Sequence, residues 1–127
     1  MQVKDGMTSV VLTIGPAHTL REAARLMSNR KVGAAVVVDS DALGILTERD
    51  LLDAIGAGLD PDTEIAASHL TRDLVFAAPE WSLEEAARAM THGGFRHLIV
   101  IEGGEVVGML AMRDIVRCWV SAGLPAR

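Results

Sequence analysis

The sequence predicts an α/β (α+β) protein built as two pseudo-two-fold-related β-α-β-β-α halves packed sheet to sheet. Three observations predict it. The chain repeats itself once: Thr19 to Ser28 matches Ser82 to Thr91 at an offset of 63 residues, with Glu22-Ala23-Ala24-Arg25 answered by Glu85-Ala86-Ala87-Arg88. Both copies of that stretch have the pattern of a capped, amphipathic helix. Both copies then close on an apolar strand that runs straight into a second helix, at Gly44–Asp50 and again at Gly108–Asp114.

The repeat extends beyond its best-matched stretch. Met7-Thr8 answers Leu70-Thr71, Pro16 answers Pro79, and Ala35–Asp39 answers Leu98–Glu102. One inserted residue near Gly103-Gly104 moves the offset to 64, so that Asp50 answers Asp114. Self-similarity of this kind marks duplicated units that bury surface together. A half of about 60 residues is marginal alone. The expected halves are residues 1–60 and 61–127, with Asp60-Pro61-Asp62 as linker.

Each element follows from local chemistry. A short extended piece, Val10 to Ile14 or Leu74 to Ala77, stops at a proline. A helix then opens on a capping box, Thr19 with Glu22 or Ser82 with Glu85. Leu20, Ala23, Ala24 and Met27 recur at helical spacing and form its buried stripe; Leu83, Ala86, Ala87 and Met90 repeat it. A strand follows, Ala34 to Val38 or Leu98 to Ile101. A tight turn, Asp39-Ser40-Asp41 or Glu102-Gly103-Gly104-Glu105, leads into the next strand. The last helix of each copy starts at Glu48 or Met112, and Gly56 and Gly58 end the first of these. Thr63 to His69 reads as a short helix entering the second copy. Val36, Val38, Ile99 and Ile101, or their alternates, are the expected sheet-face contacts.

Composition bounds the function. Twelve basic and 17 acidic residues give a net charge of −5, which argues against a general nucleic-acid binder. Aromatic residues make up 3% of the chain, so the core is built from Ala, Val, Leu, Ile and Met. The single Cys118 cannot close an internal disulfide and fits a reducing, cytoplasmic setting. Met1 to Gly6 lacks the apolar core of a signal peptide. No apolar run approaches a membrane span. His18, His69, His92 and His97 show no metal-ligand spacing. No nucleophile–base pair is visible, so the expectation is a protein that is not an enzyme.

The stretch Gly44-Ile45-Leu46-Thr47-Glu48-Arg49-Asp50 carries the binding chemistry. A strand that feeds a helix start leaves N–H donors pointing outward, which favours anions. Asp50, one short turn in, can accept two hydrogen bonds from a vicinal diol such as a ribose. The plain alternative is a helix cap: Thr47 and Asp50 have capping-box spacing, and an acidic first turn suits the helix dipole. In the second copy Ala111 cannot cap through its side chain, yet Arg113 and Asp114 remain.

The order β-α-β-β-α in tandem resembles the cystathionine-β-synthase (CBS) domain pair, or Bateman module, from about Met7 to Val120. The segment Gly44 to Asp50 is similar to that family's ribose-phosphate motif. Met7-Thr8 and the Gly93 to Val100 stretch also look like the family. The resemblance implies a regulatory module binding an adenosine-containing ligand in a cleft between the two motifs: AMP, ADP or ATP first, S-adenosylmethionine or NAD as further candidates. It implies Thr13, Ile14, Thr47, Arg49, Asp50, Arg96 and His97 as ligand-binding residues. In that scheme Asp50 takes the ribose and Thr47 a phosphate. The backbone at Thr13-Ile14 reads the adenine edge, and Arg96 and His97 face the phosphates. A second, weaker cleft would use Phe76, Ala77, Arg113 and Asp114, since Gly33 and Ala34 stand where the first has Arg96 and His97. The resemblance also implies a homodimer through helices 48–59 and 112–121 and an effector protein on another chain. The competing reading is a structural dimerisation module with a vestigial cleft.

Overall fold

The computed structural model describes residues 1–40 and 42–123. Asp41, in the expected turn Asp39-Ser40-Asp41, lies outside the described residues. The element order is α1 (Val3–Gly6), β1 (Thr13–Ile14), α2 (Leu20–Arg30), β2 (Ala34–Asp39), β3 (Ala42–Thr47), α3 (Glu48–Gly56), a 3₁₀ turn at Ala66–Ser68, β4 (Phe76–Ala77), α4 (Leu83–Gly93), β5 (His97–Glu102), β6 (Glu105–Ala111) and α5 (Met112–Ser121). Each copy of the repeat is β-α-β-β-α. The chain forms two compact units, one of residues 12–74 and one of residues 1–11 with 75 onward.

The 12–74 unit holds a three-stranded sheet in the order β1-β2-β3. β1 runs parallel to β2, with Thr13 opposite Val36. β2 and β3 form an antiparallel hairpin in which Ala34 faces Thr47. Ile14, Leu20, Ala23, Met27, Val37 and Leu46 are buried together in its core, beside Ala54 of α3 and Ala66. Ala24 is half-buried, at the margin of the α2 stripe. The expected box closes: Glu22 N–H donates to Thr19 Oγ1 at 3.1 Å, and Thr19 N–H donates to Glu22 Oε1 at 2.9 Å. Lys31 ends α2 in the left-handed region.

The other unit repeats the plan with β4-β5-β6. Its core gathers Val3, Leu83, Ala86, Met90, Leu98, Val100, Leu110 and Ile115. The inserted residue of the repeat appears as a bulge. Val100 pairs with Gly108 but Ile101 pairs with Val106, which leaves Val107 as the extra residue. Gly103 and Gly104 both take positive φ, as a two-residue hairpin turn requires.

Several expectations change. The extended pieces Val10–Ile14 and Leu74–Ala77 shorten to two-residue strands, because only Thr13-Ile14 and Phe76-Ala77 find parallel partners. The short helix expected at Thr63 to His69 contracts to the 3₁₀ turn. Val36 and Ile99 are buried, whereas Val38 is exposed. Helix α1 was not foreseen. It is the counterpart of the 3₁₀ turn, and each of these lead segments docks within its unit on the body of the other repeat copy. Val3 N–H donates to the Trp81 carbonyl and Lys4 N–H to Pro79; likewise Ala66 N–H donates to His18 and Ala67 N–H to Pro16. Thr8 then exchanges both backbone hydrogen bonds with Met109, and Thr71 with Ile45.

These lead segments explain the glycine that opens the strand-to-helix motif. A Cβ at Gly44 would sit 2.5 Å from a Leu70 methyl. A Cβ at Gly108 would sit 2.6 Å from Met7 Sδ and 3.0 Å from the Thr8 carbonyl oxygen. In both units the glycine is the floor on which the lead segment lies.

Candidate ligand-binding site

The site begins where β3 becomes α3. Register places Thr47 opposite Ala34, at the open end of the β2–β3 hairpin. Glu48 N–H donates to the Gly33 carbonyl at 2.9 Å and turns the chain into the helix. Thr47 is the N-cap. Its Oγ1 accepts from Asp50 N–H at 3.2 Å and lies 3.0 Å from Asp50 Oδ2, to which it donates. Asp50 Oδ2 also accepts from Thr47 N–H at 2.8 Å. The capping reading of this pair is therefore present in the structure. The cap uses Oδ2, and Asp50 is half-buried, with Arg49 exposed beside it.

Thr13 and Ile14 enter from β1. Thr13 is exposed, and Ile14 points into the core. β1 is an edge strand, so its outer backbone groups are outside the ladder. The next amide, Gly15 N–H, donates to His18 Nδ1 at 3.0 Å. Across β2, Thr13 is level with Ile45, two residues from Thr47. The 12–74 unit thus brings Thr13, the Ile14 backbone, Thr47, Arg49 and Asp50 to one sheet and the helix that follows it.

Arg96, His97, Phe76, Ala77, Arg113 and Asp114 all belong to the other unit. Phe76 is exposed and Ala77 buried. Arg96 is exposed, and its carbonyl accepts from Met112 N–H at 2.9 Å. His97 opens β5 opposite Ala111. Asp114 differs from Asp50 in its surroundings. It is 6% exposed. Its Oδ2 accepts from Ala111 N–H at 2.8 Å, so Asp114 makes half of a capping box although Ala111 supplies no side-chain oxygen. Its Oδ1 lies 3.2 Å from Arg117 Nη1. Sequence reasoning passed over Arg117; the only sign of it was that the first copy has Asp53 at the matching place.

Among the described residues no group of three or more His, Cys, Asp or Glu is placed to hold a metal ion. No helix among them is long and apolar enough to cross a membrane.

Two copies of this unit plan, each with a lead segment, an edge strand, a helix and a hairpin opening on an acidic helix start, define a tandem small-domain module. The family model of the CBS domain matches residues 2–57 and again 64–121. The chain belongs to the CBS-domain family. The CBS domain-containing protein YhcV of Bacillus subtilis (strain 168) is 37% identical over 115 residues, covering 89% of this chain and 81% of YhcV. The protein CBSCBSPB3 of Arabidopsis thaliana is 38% identical over 123 residues, covering 94% of this chain. The chain spans only 22% of that plant protein's length. The hexameric CBS-CP12 protein from bloom-forming cyanobacteria superposes with a TM-score of 0.88 at 29% identity, over all of this chain and 72% of its own. The CBS domain pair of protein MJ0100, solved in complex with 5′-methylthioadenosine and S-adenosyl-L-methionine, shares the fold at a TM-score of 0.82 and 22% identity, over 94% of this chain and 99% of its own.

Proposed function

We propose that this chain is a regulatory, non-catalytic module that binds an adenine nucleotide and reports its ligand state to a partner protein, acting in the cytoplasm as a homodimer. AMP, ADP and ATP are the leading ligands, with S-adenosylmethionine and NAD as alternatives. Asp50 takes the ribose hydroxyls, Thr47 and the start of α3 a phosphate, and the Thr13-Ile14 backbone the adenine edge, with Arg49 at the rim. Arg96 and His97 lie in the other unit; the family pattern gives them the phosphates, and Arg96→Ala tests that share. The observation that carries the reading is the contrast between two equivalent carboxylates. Asp50 is half-buried with Oδ1 outside its cap. Asp114 is buried with both oxygens engaged. The adenosine compounds bound by the MJ0100 domain pair support the ligand class.

A panel of AMP, ADP, ATP, NAD and S-adenosylmethionine followed by thermal melting tests this. At about 100 times its dissociation constant a ligand adds about 2.7 kcal/mol, a shift on the order of 10 °C for a domain of this size. Asp50→Ala should abolish most of the shift, measured against that variant's own ligand-free melt because it also loses a cap. Asp114→Ala should keep most of it. A second reading, a dimerisation module with an unused ligand position, is favoured by the closed Thr47–Asp50 box. No shift with any of the five compounds would establish it over the first.

A further inference from the structure

The last helices of the two copies differ in charge at two matching places, Glu48 against Met112 and Asp53 against Arg117, and the second bears on the carboxylate. α3 carries Asp53 one turn after Asp50, whereas α5 carries Arg117 one turn after Asp114. Arg117 makes two contacts. Its Nη1 lies 3.2 Å from Asp114 Oδ1, and its Nη2 donates to the Gly6 carbonyl at 3.2 Å. Asp114 Oδ2 already accepts from Ala111 N–H. Gly6 is the last residue of α1. One guanidinium therefore ties a buried carboxylate to the N-terminal helix.

We propose that Arg117 is a lock: it keeps Asp114 closed to a diol-bearing nucleotide and couples the state of Asp114 to the docking of α1. The inference rests on the reading of Asp50 as the ribose-binding carboxylate. A pair of ligand hydroxyls at Asp114 would need Oδ1, and taking it displaces Arg117, whose other end holds Gly6. In the first copy Asp53 cannot serve, because a carboxylate does not pair with a carboxylate. The Arg117 side chain is 62% exposed. A bond of this kind is weak enough to be displaced, and its loss should leave the core intact.

The test is calorimetric titration of AMP into the full chain and into Arg117→Ala, Arg117→Gln and Arg117→Ala/Asp114→Ala. Amide exchange at Met7, whose N–H closes α1 on the Val3 carbonyl, is followed in parallel. One AMP per chain is expected for the wild type. Two are expected for Arg117→Ala, the second weaker and lost in the double variant, with exchange at Met7 at least tenfold faster. Arg117→Gln removes the charge and ends two bonds short of the guanidinium nitrogens that make both contacts; it should also open the second position, and it replaces the alanine variant if that one fails to fold. One AMP per chain in every variant overturns the lock, and so do two in the wild type. No AMP on the wild type but one on Arg117→Ala, lost in the double variant, overturns the Asp50 reading and leaves the lock standing. No AMP on any of them overturns both.

Discussion

At the scale of the residue, the motif glycines and the motif aspartates do different work in this chain. The glycine makes room for a neighbouring segment, and the consequences differ between copies. At Gly44 an added methyl meets the end of the Leu70 side chain, which can swing aside. At Gly108 it also meets the Thr8 carbonyl, which accepts from Met109 N–H while Thr8 N–H donates back to the Met109 carbonyl. Gly108→Ala should therefore cost about 1–3 kcal/mol, as overpacking usually does, and Gly44→Ala clearly less. Urea unfolding of the two variants decides it; equal losses would show that the Thr8 backbone gives way. The aspartates were legible from spacing alone, since Thr47 and Asp50 are three residues apart and the box they form is local. The Arg117 clamp was not legible, because its second partner, Gly6, lies 111 residues away.

At the scale of the element, local chemistry decides what a sequence reveals. The starts of α2 and α4 were readable because each capping box closes within four residues. α1 was hidden because four residues have no helical periodicity, and its amides are satisfied by carbonyls of Pro79 and Trp81, far along the chain. The same caps predict a pH response. The Glu22 carboxylate accepts hydrogen bonds from Thr19, which hold it below the usual carboxylate range; Arg21 does the same for Asp62. A lowered folded pKa means stability that is fully present above the unfolded pKa, about 4, and that is lost as pH falls through the folded value. Glu22→Gln should lower the urea midpoint at pH 7 and by less at pH 3, and a constant difference at both would rule the cap charge out. The lead segments also predict how the chain can be cut. Residues 1–60 lack Ala66 and Leu70, which pack into the core of the 12–74 unit, and lack the Thr71 bridge to Ile45. That fragment should be unfolded or self-associating, and a cooperatively melting monomer by circular dichroism would count against it.

At the scale of the whole molecule, the surface that remains after each unit has packed points to self-association. Amphipathic helices normally turn their apolar residues inward. α3 does so with Ala54 but leaves Leu52 and Ile55 62% and 54% exposed. α5 buries Ile115 but leaves Val116 and Val120 49% and 67% exposed. Exposed apolar side chains are common singly; adjacent pairs on both of the matching helices are not expected of a surface that only meets water. Exposed apolar neighbours along a helix mark an interaction site when a partner covers them, and a closed two-fold contact is the commonest such use. The proposed homodimer follows, at twice the 13.5 kDa chain mass. Leu52→Asp and Val120→Asp change residues that no core uses, so each should leave the fold within about 0.5 kcal/mol at low protein concentration. Together they should convert the dimer to monomer in sedimentation equilibrium at micromolar concentration, and should remove the concentration dependence of the melting temperature that a dimer shows. A wild-type chain that sediments as a monomer across that range would end the proposal, and the exposed faces of α3 and α5 would then need a different partner.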